Sequence, residues 1–299
     1  MIIMIKKFLV NKIAVTTLCL ILLLLFYFLP TQETIDIETI NNSELKKENN
    51  IYLLDEDNYV SKVTLFFNSN SLEDEVRKRI DYLIEGCVEL NNFYPLIPKN
   101  TKLNSIKIDK ESVYLDFNDE FKKVNNSLEE KMIESIVFTI TEINGVNNIY
   151  ISVNNKEYKI DKYNYPLTRN IGINKKYDLN SFDNINKTTV FFMKDIDDLE
   201  YLVPVTNIVN SEEDSIEIII KELKSSINSQ DNLKSYFDDN IKLLKYSIDN
   251  KKMILVFNDS NNISEKVETI LANSIFENYD VNEIEISFND KNESKTIKR

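Results

Sequence analysis

The body of this chain is written twice. Val63-Thr64-Leu65-Phe66-Phe67 opens one copy and Thr189-Val190-Phe191-Phe192-Met193 opens the other. Leu115-Asp116-Phe117-Asn118-Asp119 returns as Leu255-Val256-Phe257-Asn258-Asp259, and Ile151-Ser152-Val153-Asn154-Asn155-Lys156 returns as Ile286-Ser287-Phe288-Asn289-Asp290-Lys291. Three strand-like segments recurring in one order constrain the fold to a duplicated unit, before any other reading.

The chain has 299 residues. Setting aside an N-terminal stretch leaves two domains of about 100 residues, each able to bury its own core. Net charge is −13. That disfavours nucleic acid, whose binding depends on Lys and Arg neutralising phosphates. It equally disfavours the body lying on an anionic bilayer. The chain has no His, which removes the usual general base of hydrolases and the commonest transition-metal ligand. Its two cysteines, Cys19 and Cys87, stand too far apart in role and place to form a disulfide framework.

Lys6, Lys7 and Lys12 precede an uncharged run from Ile13 to Leu29. As a helix this run spans roughly 25 Å, close to a hydrocarbon core of about 30 Å. Acidic residues follow it (Glu33, Asp36, Glu38), so positive-inside logic puts the N-terminus in the cytoplasm and the rest outside. A cleaved signal peptide is the competing reading, but no small-x-small site stands near Leu29–Gln32. A lipid-modified Cys19 is disfavoured by Leu18 before it and the apolar run after it. The expected organisation is a cytoplasmic tip and transmembrane anchor at 1–30, an acidic linker at 31–59 with a short edge strand at 51–54, a first domain at 60–160, a connecting segment at 161–187 and a second domain at 188–292.

Within copy one, Val63, Leu65 and Phe67 alternate as a strand does. Val76, Ile80, Leu83, Ile84 and Cys87 make one helical stripe, with Gly86 at or near its end. Ser105–Asp109 and Val113–Phe117 read as a hairpin around Asp109-Lys110-Glu111. Ser127-Leu128-Glu129-Glu130 reads as a capping box for a second helix burying Met132, Ile133, Ile136, Val137 and Ile140. Ile149, Ile151 and Val153 form the last strand. Copy two repeats this β-α-β-β-α-β order, with its extra length in Tyr201–Asn210 and Ser226–Asp239, which read as loops. The fold class is α+β: two tandem two-layer α/β sandwich domains, each with two helices on one face of a four-stranded sheet.

The arrangement resembles the GerM domain (GerMN) of sporulation and spore germination proteins. The resemblance rests on Val63–Phe67, on Leu83-Ile84-Glu85-Gly86, on Leu96-Ile97-Pro98-Lys99-Asn100-Thr101, on Val113-Tyr114-Leu115-Asp116-Phe117 and on Pro166–Asn174 as the segment between tandem copies. Cys87 stands where the family often has Pro, and copy two lacks the Gly and Ile-Pro signals. The resemblance implies a non-enzymatic extracytoplasmic module, similar to ring-building motifs and associated with the complex between mother cell and forespore and with later germination.

A two-layer sandwich leaves one sheet face uncovered. With a ferredoxin-like strand order, Phe66, Tyr114 and Tyr150 share that face in copy one, and Phe191, Met193, Ile254 and Val256 share it in copy two. These seven are the candidate partner-docking residues, for another protein or a second copy. No catalytic, cofactor or metal residues are expected. The Asp-rich stretches at 116–120, 178–180 and 195–198 complete no calcium loop, Asp116 and Glu120 are weak as a glycosidase pair, and only three glycines exist to cradle a phosphate. Lys99 and Arg169 read as solvated single charges. The expected function is a structural or assembly component of a sporulation envelope complex, bound to the membrane through 13–29, with no small-molecule ligand. The alternative is an accessory protein that binds cell-wall glycan.

Overall fold

The computed structural model describes residues 46–88, 90–181, 183–197, 199–225, 232–259, 263–290 and 294–299. The chain divides into a unit at Met1–Lys46, of which only Lys46 is described, and a compact unit at Lys47–Arg299. The expected membrane span at 13–29 lies outside the described residues. Among the described residues no helix is long and apolar enough to cross a membrane.

The compact unit is α+β and its second half repeats the first. Repeat one runs β1 (Glu48–Asp55), β2 (Val60–Phe66), α1 (Leu72–Glu85), β3 (Phe93–Tyr94), β4 (Leu103–Asp109), β5 (Ser112–Phe117), α2 (Glu129–Ile140), β6 (Asn148–Val153) and β7 (Lys156–Glu157). After β8 (Lys176–Asp178), repeat two runs β9 (Ile185–Ile196), β10 (Leu199–Asn210), α3 (Ser215–Lys224), β11 (Leu243–Asp249), β12 (Lys252–Phe257), α4 (Glu265–Asn278), β13 (Glu283–Phe288) and β14 (Ser294–Lys298).

The expected order of elements is present, but each repeat opens with a hairpin, not a single strand. β1 falls in the stretch whose Asn- and Glu-rich composition reads as linker, and β10 in the stretch that reads as loop. The true counterpart of β9 is therefore β1, and that of Val63–Phe67 is β10. The ferredoxin-like order is also corrected. β4-β5-β6-β7 and β11-β12-β13-β14 form two small sheets, each with a parallel central pair. The opening hairpins join neither. They meet in a shared sheet of order β3-β1-β2-β10-β8, with β9 on the other side of β10.

The physical reason is visible at the hairpin edges. β1 and β9 are buried on both faces, through Ile51–Leu54 and Val190–Met193, as a covered strand requires. Beside the β3 pairing, the free edge of β1 is closed by helix side chains. Tyr52 N donates to Thr139 Oγ1 at 2.9 Å, Ser135 Oγ donates to Tyr52 O at 2.6 Å, and Arg79 Nη1 donates to Asn50 O at 2.6 Å. In repeat two Phe191 N donates to Ser274 Oγ at 2.9 Å, and Asn278 exchanges bonds with the backbone of Thr189. A buried strand edge must find partners, and here helix side chains supply them, chiefly from the second helix of each repeat and, at Asn50, from Arg79 of α1.

The duplication extends to single hydrogen bonds. Lys102 N donates to Asn118 Oδ1 and Asn118 Nδ2 to Asn100 O; Lys242, Asn258 and Asn240 repeat this clasp. The hairpins β4–β5 and β11–β12 bulge at matching places, after Leu103 and after Leu243. The apolar stripes fill the space between. Val76, Ile80, Leu83, Met132, Ile133, Ile136, Val137 and Ile140 are buried with the inward residues of β5 and β6, while Ile216, Ile219, Leu223, Val267, Ile270, Leu271 and Ile275 are buried with those of β12 and β13. Two terminal details differ from the sequence reading. Gly86 caps α1 at φ 78°, leaving Cys87 outside the helix. Ser127 does not cap α2, because its hydroxyl bonds Asn125 and the helix begins at Glu129.

Candidate functional site

The outer face of the first small sheet carries a row of stacked side chains. Tyr114 on β5 and Tyr150 on β6 are direct neighbours in parallel register. Their rings stack at 4.5 Å between centroids with planes 9° apart. Tyr165, from the segment after β7, stacks on Tyr150 at 5.8 Å and 12°. It is held there by its hydroxyl, which donates to Tyr158 O at 2.7 Å and Ile151 O at 3.1 Å. Lys107 on β4 places its ammonium 5.4 Å from the Tyr114 ring centre. Register makes this possible, since Lys107 lies opposite Tyr114 on the antiparallel partner strand. All three tyrosines are half-buried.

Of the seven residues expected on open faces, the structure unites Tyr114 with Tyr150. Ile254 and Val256 share the outer face of the second small sheet, half-buried on β12. Phe66 is 57% exposed but lies at the end of β2, in the shared sheet and away from the tyrosines. Phe191 and Met193 are not on an open face: both are buried. α4 closes over the β9 edge at Phe191, and Lys62 sits over its ring at 5.7 Å. Met193 exchanges backbone hydrogen bonds with Lys234, which covers the outer edge of β9. Tyr165 and Lys107 escape the sequence reading because neither belongs to an aromatic strand pattern.

Asp116 and Glu120 form no acid pair. Asp116 accepts from Ser152 Oγ at 2.6 Å, Asn155 N at 2.7 Å and Asn104 Nδ2 at 3.1 Å. Burial pushes its pKa up, but these bonds outweigh burial and hold it below the usual carboxylate range. Glu120 pairs with Lys123 at 2.8 Å instead. No cluster of three metal-ligating side chains occurs among the described residues.

The tyrosine face belongs to a body whose repeats are locked together. Arg169, expected as a solvated charge, is the centre of one lock. It contacts Glu142 beyond α2 at 3.4 Å and Glu277 on α4 at 2.6 Å. It also donates to Phe138 O and Tyr52 OH and lies 4.2 Å from the Phe138 ring centre. Burial pushes Glu142 up, but Lys62 and Arg169, with bonds from Asn50 and Tyr52, hold it down at about 2. Asn174 is the second lock. Its amide accepts from Val60 N and donates to Val60 O and Pro204 O, filling the space where β2 and β10 diverge. The third is Lys194 on β9, fully buried against Asp55 of β1 at 3.0 Å.

Comparison with known proteins agrees with this geometry. The family described as Germane, sporulation and spore germination, matches residues 50–159, which is repeat one from β1 to β7. The chain is 28% identical over 265 residues to the spore germination protein GerM of Bacillus subtilis (strain 168), covering 81% of this chain and 72% of that protein. Its fold is similar to the solved tandem GerMN domains of the sporulation protein GerM from Bacillus subtilis, with a TM-score of 0.74 and 26% identity over 83% of this chain and 92% of that one. Duplicated topology, sequence and structure converge: repeat one matches the Germane family of sporulation and spore germination, and the two repeats together are similar to the tandem GerMN domains of GerM.

Proposed function

We propose that this chain is a non-enzymatic, membrane-anchored protein of the sporulation and germination machinery, acting outside the cytoplasm as a structural or assembly component of an envelope complex between mother cell and forespore. The observation that carries this reading is the uncovered, pre-stacked face of Tyr114, Tyr150 and Tyr165 on a body with locked repeats. Stacked tyrosines fix a docking surface at small entropic cost, and tyrosine is a favoured residue of interface centres. The apolar run Ile13–Leu29 is the proposed anchor, with the N-terminus cytoplasmic. The non-enzymatic reading draws support from Asp116, whose carboxylate is engaged by three donors and so is not free for proton transfer.

The glycan-binding alternative gains nothing from this face. Sugar rings stack on exposed aromatic faces, whereas Tyr150 turns its faces to Tyr114 and Tyr165. The test is genetic. A deletion strain is scored for engulfment, late forespore gene expression and germination, then complemented with Tyr114→Ser/Tyr150→Ser. A sporulation or germination defect with normal vegetative growth, rescued by the parent chain and not by the folded double variant, is expected. Normal spores with an altered vegetative wall would overturn the assembly role. Full rescue by the variant would remove the tyrosine face from it.

A further inference from the structure

Repeat two carries a surface that repeat one lacks, and it stands apart from the tyrosine face. In repeat one, α1 packs against the edge strand β4, and Asn104 at the β4 bulge bonds Asp116 at 3.1 Å. In repeat two, α3 and the edge strand β11 part to leave a groove of about 840 Å³. Leucine replaces the bulge asparagine: Leu244 is 51% exposed, and Val256 stands where Asp116 is in repeat one. The polar clasp has become an open apolar surface.

Ile220, Leu243, Leu244 and Tyr246 make the groove apolar, and four lysines, Lys221, Lys224, Lys242 and Lys245, rim it against one carboxylate, Glu217. Such a cluster is notable in a chain of net charge −13. Lys242 and Lys245 make no ion pair among the described residues, and Lys221 reaches Glu213 only at 3.8 Å. Among the described residues β11 pairs on one side alone, with β12, which leaves one row of its peptide groups without a strand partner. A free edge beside an apolar groove is a template for another strand.

We propose that this groove takes an extended, acidic segment of a partner protein, which adds as a strand to β11, sets its apolar side chains on Ile220, Leu243 and Leu244, and directs its carboxylates to the four lysines. Charge and the strand edge together decide the occupant. Nucleic acid and lipid headgroups are anionic too, but they have no peptide backbone to pair with β11. Among the described residues a second copy offers no acidic edge strand of comparable length: β14 is Ser-Lys-Thr-Ile-Lys, and β4 carries one Lys and one Asp. Alternation in a strand puts apolar and acidic side chains on opposite sides, which matches a groove floor with a charged rim.

The test uses the full-length chain in detergent and fluorescence anisotropy with a labelled peptide alternating glutamate and isoleucine. Saturable binding is expected, weakened at least about tenfold by Lys242→Glu/Lys245→Glu, since reversing rim charges converts attraction to repulsion. Leu244→Ser is the second variant and is expected to weaken binding without changing net charge. Circular dichroism melts confirm that both fold. A peptide N-methylated along one edge is expected not to bind, because it cannot pair with β11. Absence of binding, equal binding by the lysine variant, or equal binding of a glutamate–serine or N-methylated peptide would overturn the proposal. So would capture of anionic phospholipid vesicles in place of the peptide, or self-association in sedimentation that the lysine variant abolishes.

Discussion

Arg169 and Glu277 meet in a two-pronged ion pair, Nη2 to Oε2 at 2.6 Å and Nε to Oε1 at 2.8 Å. Glu142 takes the same guanidinium from the other repeat, at 3.4 Å. The two glutamates follow matching α2 and α4 positions, each three residues past the hydroxyl, Thr139 or Ser274, that bonds its repeat's first strand. One arginine from the connecting segment thus joins two copies of one position.

Removing Arg169 leaves two carboxylates facing each other in a mostly buried place. Arg169→Ala is expected to cost about 3 kcal/mol, as breaking such pairs does. Arg169→Lys should restore only part, because a point ammonium cannot reproduce the two-pronged contact or the stacking on Phe138. Urea denaturation of the three proteins measures this, and equal stability of Ala and Lys variants would show that the fork contributes nothing.

Glu142 makes the acid stability of the fold specific. Its folded pKa of about 2 lies below the ordinary value for glutamate, so the unfolded chain takes up the proton first. The stabilisation is complete above about pH 4.3 and is lost as pH falls toward 2, a change of roughly 3 kcal/mol. The stability gap between the parent and Glu142→Gln should therefore be flat above about pH 5 and narrow below it. Denaturation midpoints at a series of pH values check this; a gap unchanged at the acid end would contradict it.

Asp55 and Lys194 are partners of unequal consequence. Lys194→Met removes a buried ammonium and leaves a carboxylate that still accepts from Tyr59 N at 2.8 Å, Asp57 N at 3.0 Å, Ser61 Oγ and Tyr201 OH. It is expected to cost about 3 kcal/mol. Asp55→Ala strands all those donors and leaves the ammonium with Asp57 alone, so its cost should be greater, about 4–5 kcal/mol. Equilibrium unfolding ranks the two, and the reverse order would mean that the turn between β1 and β2 does not depend on Asp55.

Gly172 and Gly145 both have left-handed backbones, with φ of 76° and 82°. Only Gly172 is also crowded: a Cβ there would lie 3.1 Å from Thr206 Cγ2. Thr206 is not free to yield, since its hydroxyl bonds Ile173 N at 2.8 Å and Thr189 Oγ1 at 2.9 Å. Gly145→Ala should cost about 1 kcal/mol and Gly172→Ala about 2–3 kcal/mol. Thermal melts of the pair separate backbone strain from steric contact.

What local pattern can carry was legible. The stripes of α1 and α2, the β4–β5 and β11–β12 hairpins and the stacked neighbours Tyr114 and Tyr150 follow from periodicity and register. Long-range pairing was not. β10 hides because Pro204, Asn207 and Asn210 interrupt its pattern, while β1 shows only as the short edge strand at 51–54, its start hidden by Glu48-Asn49-Asn50. Missing the β9–β10 hairpin, and the pairing of 51–54 with β2, placed Phe191 and Met193 on a face that does not exist. Arg169 gives no periodic signal, and its carboxylates lie on either side of it in sequence, one of them 108 residues away.

Because β2 finds its outer neighbour in β10, repeat one is unfinished when its own last strand has been made. The edge around Lys62 stays open until Leu202 and Asn174 have emerged from the ribosome. In that interval the β9–β10 hairpin of a neighbouring chain fits the same edge, and two chains that exchange hairpins would each satisfy every bond of the monomer. Crowded synthesis therefore favours an interlaced dimer as the characteristic misassembly product, one that dilution after folding would not readily undo.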